Sequence, residues 1–174
     1  WDKAISDLTQ ALNLDSDDKY YQVAVYTLRA EAYFNSNQWD KAIEDYTQVI
    51  ALTPDDAEMY FNRGRAYTQS NQLERAMEDY TRAIELNPDL VEAYLLRGAI
   101  YADLNQLERA MEDANRVIEL NPDFPGAYLV RGMIYFKFRE WDRARQDLQE
   151  AERRSCDQGN EEECARSRYL LQQL

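Results

Sequence analysis

A long internal repeat constrains this chain more than any other feature. Residues 71–89 read NQLERAMEDYTRAIELNPD and residues 105–123 read NQLERAMEDANRVIELNPD, so 16 of 19 residues are identical at an offset of 34. Repeats of this length are typical of arrays in which each unit packs only against its neighbours. The repeat therefore favours a stacked array over a domain with one central core.

The same offset arranges residues in columns, and the columns predict pairs of helices. Tyr26, Ala30 and Tyr33 are spaced four and three apart, so they share one helical face, and their equivalents recur in each later repeat. An Asn recurs between the two helices, where its tolerance of left-handed backbone suits a short turn. After the second helix, a Pro-Asp segment is expected to end that helix, and the Asp to cap the next one. The turn residues are Asn37, Asn71 and Asn105, and the prolines are Pro54, Pro88 and Pro122.

These columns resemble the tetratricopeptide repeat, and the resemblance covers nearly the whole chain. It rests on small and large residues that agree over a full period, namely Tyr60, Gly64, Tyr67, Ala76, Tyr80, Ala83 and Pro88. The resemblance implies an all-α fold, a right-handed superhelical solenoid of antiparallel helix pairs with about ten helices. It also implies that the first helix of each pair lines a concave face.

The repeat predicts a single array over residues 1–174. The expected full repeats are 23–56, 57–90, 91–124 and 125–158. Residues 1–18 are expected to be the second helix of a truncated repeat, because residues 1–5 match residues 39–43, and we expect the chain to be a piece of a longer array. That spacing of 38 exceeds the period by four residues, which should lengthen the next helix by one turn.

The C-terminal end departs from the pattern. Arg166 occupies the column that is otherwise small, which should prevent another repeat from stacking, whereas Tyr169 keeps its Tyr column. We therefore expect residues 159–174 to form a capping helix. Cys156 and Cys164 flank the last turn. Free thiols are the favoured interpretation, a disulfide across the turn is the alternative, and a metal site is the least favoured.

A second set of columns predicts ion pairs inside the repeats. Each repeat has an Arg just before the small residue and an Asp sixteen residues later, which the hairpin can bring together as a structural ion pair. The Arg residues are Arg29, Arg63, Arg97 and Arg131, and the Asp residues are Asp45, Asp79, Asp113 and Asp147.

Composition argues against several classes of function. The chain has 33 acidic and 20 basic residues and a formal net charge of −13, whereas nucleic-acid binding needs a basic face. It has no His, which removes His-dependent catalysis and His-ligated metal sites. No apolar run approaches the ~18 residues of a membrane span. We expect no enzyme activity, no cofactor, no metal site, no nucleic-acid partner and no direct membrane insertion.

The acidic run at residues 15–18 lacks the Gly and the closing Glu of a calcium loop, so we interpret it as a turn that caps the following helix.

The expected function is recognition of a protein or peptide partner on the concave face. First-helix residues are mixed and polar in the first two repeats but apolar in the last two, and contiguous apolar surface is typical of a partner site. Such a surface can receive an amphipathic helix or an extended apolar peptide, with Asn62 and Arg65 holding a polar end. The candidate groove residues are Phe34, Phe61, Asn62, Arg65, Leu95, Leu96, Ala99, Leu129, Val130, Met133 and Phe136.

Three alternatives to a scaffold or adaptor with an open groove stay open. The superhelix or preceding repeats can cover these residues. A second copy can pair through the groove or the array ends, giving a homo-oligomer. The array can also be the targeting module of a larger enzyme or regulatory protein.

Some members of the family bind the C-terminal carboxylate of heat-shock chaperones through two Lys, two Asn and one Arg on three consecutive first helices. The matching positions in the first three repeats are Thr27, Glu31, Asn62, Glu92 and Leu96, and only Asn62 agrees. Glu31 and Glu92 would repel a carboxylate, and repeats two to four contain no matching residue. Binding of a chaperone tail is therefore not expected.

Overall fold

The fold is all-α. The computed structural model describes residues 1–13 and 17–174, and within these ranges it contains ten helices and no strand. They divide into two compact halves, Trp1–Pro88 and Asp89–Leu174. The first half contains α1 Asp2–Leu12, α2 Lys19–Asn35, α3 Trp39–Leu52, α4 Ala57–Gln69 and α5 Leu73–Leu86. The second half contains α6 Val91–Asp103, α7 Leu107–Leu120, α8 Pro125–Lys137, α9 Trp141–Asp157 and α10 Glu161–Leu171.

Short turns join the helices of each pair. Asn37, Asn71 and Asn105 adopt the predicted left-handed backbone, with φ near 60°. Arg139 holds the same place between α8 and α9, with φ of 61°, although a longer side chain adopts this conformation less readily. The turn geometry therefore persists in the last pair even though the Asn is absent.

The helices begin partly as predicted. The α2 helix has 17 residues against 13 in α4, which confirms the extra turn. Asp18 caps it by accepting a hydrogen bond from the backbone N of Tyr20 at 2.9 Å, whereas residues 15 and 16 of the acidic run lie outside the described residues. The expected cap by the Asp after each Pro is wrong, because the N-cap position falls one residue later.

The residue at that N-cap position differs from pair to pair. In α4 it is Asp56, whose side chain accepts from the backbone N of Glu58 at 3.0 Å. In α6 and α8 it is Leu90 and Phe124, neither of which can cap through its side chain.

Small residues set how closely paired helices approach. A Cβ added to Gly64 would lie 2.8 Å from Cε1 of Tyr80, and one added to Gly132 would lie 2.9 Å from Cγ of Leu148. Both distances are shorter than carbon atoms tolerate, so the ring and the leucine occupy the space that glycine leaves. The small column of the first helix and the side chains facing it from the second helix therefore form one packing interface.

The C-terminal helix α10 packs on α9 and α8 but in a changed orientation. Its buried residues are Cys164 and Ser167, while Arg166 is exposed. Tyr169 keeps the Tyr column in sequence, but it is 62% exposed in this helix. The preference for free thiols is also wrong in this structure, because Cys156 and Cys164 form a disulfide that links the end of α9 to α10.

Candidate partner-binding groove

The predicted Arg–Asp pairs hold the first helix of each repeat against the second. Arg29 donates from Nε and Nη2 to the two carboxylate oxygens of Asp45, both at 2.7 Å. The same two-point geometry, at 2.7–3.0 Å, joins Arg63 to Asp79, Arg97 to Asp113 and Arg131 to Asp147. All four carboxylates are buried. These bonds confirm the predicted ion pairs and fix the rotation of the groove-facing helices.

A third hydrogen bond of these arginines was not predicted. Nη1 of Arg29 donates to Oγ1 of Thr9 on α1 at 3.2 Å, and Nη1 of Arg63 donates to Oγ1 of Thr47 on α3 at 3.1 Å. In the second half, Nη1 of Arg131 donates to Oδ1 of Asn115 on α7 at 2.9 Å. Each of these guanidinium groups thus contacts its own hairpin and the helix before it. The sequence does contain a signal for this bond, because a Thr or Asn follows each Asp of the ion pairs by two residues wherever the acceptor is Thr47 or Asn115.

Burial shifts the titration of the groups inside the hairpins. Burial raises the pKa of the Asp79 and Asp113 carboxyls, and the facing guanidinium opposes that rise. Burial also raises the pKa of the Tyr46 and Tyr80 hydroxyls to about 12. These side chains are buried in the packing interfaces, so their pKa shifts reflect packing of the framework.

In the first half, the groove face is aromatic and cationic. The guanidinium carbon of Arg65 lies 4.7 Å from the centre of the Phe34 ring and 5.8 Å from that of Phe61. Phe34 in turn meets Trp39 edge to face at 5.2 Å. Arg65 is exposed and Asn62 is half-buried on the same helix. The predicted residues of this half therefore form a platform that presents one cation to solvent.

In the second half, the groove face contains an apolar cleft of about 210 Å³ between α6, α8 and α10. Asp103 and Arg166 are its charged lining residues, and both are exposed. Its uncharged lining residues are Ala99, Ala102, Leu129, Val130 and Met133. Four of the predicted groove residues thus line one cleft, and Arg166 joins them from a helix that the sequence interpretation treated only as a cap.

The remaining predicted residues of the second half take other positions. Leu129 is only 4% exposed and packs with Leu148 and Ala151, so most of its side chain belongs to the core. Phe136 is half-buried against the Trp141 ring, edge to face at 5.3 Å. Leu95 and Leu96 are half-buried on α6 and do not line the cleft. The interpretation of this face as openly exposed is therefore wrong for Leu129.

No group of three or more His, Cys, Asp or Glu side chains in residues 1–13 and 17–174 is arranged to hold a metal ion. In the same part of the chain, no helix has the length and apolar character needed to cross a membrane.

Family models agree with the geometry of the hairpins. A model described as tetratricopeptide repeat matches residues 28–100, and a second model with the same description matches residues 91–124. A solved structure, the first tetratricopeptide domain of Spaghetti (RPAP3) bound to the HSP90 peptide SRMEEVD, is 30% identical. The similarity covers 67% of this chain and 93% of that one, with a TM-score of 0.65.

This chain belongs to the tetratricopeptide repeat family. The tetratricopeptide domain of OM64 from Arabidopsis is 26% identical over 69% of this chain and 99% of that one, with a TM-score of 0.66. MamA shares the fold at a TM-score of 0.81 over 90% of this chain and 89% of that one, at 23% identity. No curated protein sequence matches significantly. Tetratricopeptide repeats are in general modules of protein interaction, which supports a protein-binding role.

Proposed function

We propose that this tetratricopeptide array is a scaffold or adaptor that binds an apolar helix or an extended apolar peptide of a partner protein. The observation that carries the proposal is the cleft of about 210 Å³ in the second half, whose uncharged walls are formed by first-helix residues. An apolar cleft with a few charged groups at its edge is the usual form of a peptide-binding groove. Its Asp103 and Arg166 can orient the ends of a bound segment.

The first half presents a polar and cationic surface of its own. Arg65 is exposed above Phe34, and Asn62 lies one turn before it. A stacked guanidinium keeps its N–H edge free for a carboxylate or a backbone carbonyl. A segment bound to this half is therefore expected to present an acidic or backbone acceptor group. Affinity on the order of μM, or ~8 kcal/mol, is expected for such a contact.

The test uses a column in which this chain already tolerates Glu. The groove-facing column contains Glu31, Arg65, Ala99 and Met133, and Glu31 is exposed on α2. The double variant Ala99→Glu, Met133→Glu therefore places charges in the cleft at positions where the helix accepts Glu. Leu129→Glu is avoided because Leu129 lies in the core.

The matched control is Gln48→Glu, Ala51→Glu, which adds the same charge to exposed positions of α3. The Ala51 column carries Glu85 and Glu119 in the next two repeats, so this substitution also suits the fold. A partner captured by the wild-type chain is mapped to one segment by a peptide scan, and that peptide's affinity is measured by fluorescence anisotropy. We expect the cleft variant to weaken binding about tenfold or more and the control to leave it unchanged. Equal binding by all three proteins would refute the cleft as the site.

Two further measurements test chaperone-tail binding and self-assembly. The HSP90 peptide SRMEEVD, to which the RPAP3 domain is bound, serves as a direct probe of chaperone-tail binding. Because Glu31 and Glu92 are exposed at positions where a carboxylate would lie, we expect it not to bind. Light scattering over a range of concentrations tests self-assembly, for which we expect a constant monomer mass.

A further inference from the structure

We infer that α10 is a removable cover, held by the Cys156–Cys164 disulfide, which closes one end of the apolar cleft in the second half. The inference concerns regulation of the cleft and rests on the proposed function for its biological meaning. Its physical content is that reduction of the disulfide releases α10 and extends the apolar surface of α8 and α9.

Along much of its length, α10 buries small or polar side chains. Its two buried residues are Cys164 and Ser167, and the buried residues on α9 near this end include Ala151 and Ser155. The hydroxyl of Ser167 is fully buried, and no hydrogen-bond partner reaches it within the described residues. A buried hydroxyl without a partner opposes docking, and a helix of 11 residues is marginal by itself. This part of the interface therefore contributes little to docking without a covalent link.

The apolar contacts of α10 lie at its C-terminal end and cover the core next to the cleft. Leu170, Leu171 and Leu174 pack against the cluster of Leu129, Leu148 and Ala151. These three core residues would become accessible if α10 moved away, and they continue the apolar lining that Leu129 already contributes to the cleft. The surface beneath α10 thus has the same chemistry as the proposed partner site.

One side chain of α10 also forms a wall of the cleft itself. Arg166 lines the cleft, and its Nη2 lies 3.9 Å from Sδ of Met133. In the first helices, the equivalent column carries Ala30, Gly64, Gly98 and Gly132. The Arg at this position lets α10 limit the cleft rather than continue it, so the position of α10 decides how far a bound apolar segment can extend.

The disulfide is placed where it can act as a latch. Cys156 is exposed at the end of α9, whereas Cys164 is 9% exposed in the first turns of α10. Nη2 of Arg168 lies 3.8 Å from Sγ of Cys156 and 3.6 Å from Sγ of Cys164. Nε of Arg168 also donates to Glu152 at 2.8 Å, in a pair that is largely exposed. Exposed pairs of this kind hold a helix only weakly once the covalent link is gone.

The opening step is thiol–disulfide exchange with a dithiol reductant. A thiolate of the dithiol attacks the accessible Sγ of Cys156, a mixed disulfide forms, and the sulfur of Cys164 leaves and takes up a proton. The second thiol of the reductant then closes on the first, releasing Cys156 as a thiol. The dithiol is oxidised to its cyclic disulfide, and the protein gains two electrons and two protons.

The experiment is hydrogen exchange of the full chain, read by mass spectrometry for residues 161–171. Oxidised protein is compared with protein reduced by dithiothreitol, and with the double variant Cys156→Ser, Cys164→Ser in both buffers. We expect reduction to speed exchange in this segment about tenfold or more, while residues 39–52 stay unchanged. The double variant is expected to behave like the reduced wild type in either buffer. Equal protection of α10 in oxidised and reduced wild-type protein overturns the inference.

A second readout tests whether the released helix uncovers the cleft. Fluorescence of the dye anilinonaphthalenesulfonate is expected to rise on reduction and to rise less in Ser167→Ala, because that variant removes the buried hydroxyl and keeps α10 docked. Loosened α10 without a rise in dye binding refutes the covering role. Neither measurement needs the biological partner. If α10 opens while the cleft variants capture partners normally, the proposed function fails and this inference stands.

Discussion

In the first half of the chain, the groove-facing column of the first helices carries Glu31 and Arg65, whereas in the second half it carries Ala99 and Met133. The Arg–Asp pair beneath that column does not change, and its shortest contact is 2.7 Å in every repeat. The two halves therefore use one framework to present two different surfaces. Positions that repeat set how helices pack, and positions that do not repeat give each half its own surface chemistry.

The same contrast appears at the turns within each pair. In the first half, Ser36 and Ser70 bond back to carbonyl oxygens of the helix that they end. In the second half, this column holds Leu104 and Phe138, which are 40% and 39% exposed. The turn is therefore kept whether this position carries a serine that bonds back to its own helix or an exposed apolar side chain. The apolar character of the second half thus extends beyond the cleft.

The largest expected effect comes from breaking the shared framework. Arg97→Ala leaves Asp113 buried without its partner, which should cost about 3–5 kcal/mol of unfolding free energy. Arg63→Ala in the first half should cost a similar amount, because its pair has the same geometry. Urea denaturation measures both. The control is Arg82→Ala, whose exposed pair with Glu85 should contribute nothing detectable. A negligible loss in Arg97→Ala would show that the pair is not structural.

The loss in Arg97→Ala should also depend on pH. Burial already raises the pKa of Asp113, and removal of the guanidinium raises it further. A carboxyl whose folded pKa exceeds its unfolded value of about 3.9 stabilises the fold below that value, and this contribution is lost as pH rises through the folded pKa. The deficit of the variant relative to wild type should therefore be smaller at about pH 4 than at about pH 7. Urea titrations at both values test the sign.

The next largest effect is a difference in stability loss between a core residue and a half-buried residue of the second half. Leu129→Ala should cost about 2–5 kcal/mol, because it leaves a cavity beside Leu148 and Ala151. Leu96→Ala, at a half-buried position of α6, should cost clearly less. Thermal and chemical unfolding of the two variants provide the comparison. Equal losses of unfolding free energy in the two variants would mean that Leu129 is no more buried in solution than Leu96.

The smallest effect concerns the first half alone. A double-mutant cycle with Arg65→Met and Phe34→Leu should give a coupling of about 0.5–1 kcal/mol, because an exposed guanidinium lies over a half-buried aromatic ring. The unfolding free energies of the two single variants and the double variant supply the cycle. If the stability losses of Arg65→Met and Phe34→Leu simply add, the cation–π contact does not stabilise the first half.

Columns predicted most of the framework because repetition samples the same packing several times. The Arg–Asp pairs, the left-handed Asn turns and the longer α2 all followed from the offset of 34 and its single interruption. The columns are a poorer guide where repetition stops, and the Asp cap after each Pro was wrong even within a repeating column. Tyr169 shares a column with packed tyrosines, yet the rotation of α10 turns it outward and places Ser167 inside. Leu129 looked groove-facing by position, but it is almost fully buried in a core cluster against which the leucines of α10 pack.

Two further features exceeded what the residues could reveal. Two cysteines across a turn are compatible with thiols or a disulfide, and only the placement of α10 brings the sulfurs together. The cleft depends on Arg166, whose column suggested only a steric stop. The site predictions for Ala99, Val130 and Met133 remain predictions about binding, although the structure does place these three residues in one cleft.

The third hydrogen bond of Arg29, Arg63 and Arg131 has a consequence for dissecting or rebuilding the array. Each of these side chains donates to the helix that precedes its own pair, so a cut at the sequence boundary of a repeat removes a donor from Thr9, Thr47 or Asn115. The physical module is therefore a set of three helices that overlaps the next set by one. Engineered deletions or duplications should keep whole overlapping triplets, and chimeric arrays should be joined inside a second helix, after its Asp and before its Thr or Asn.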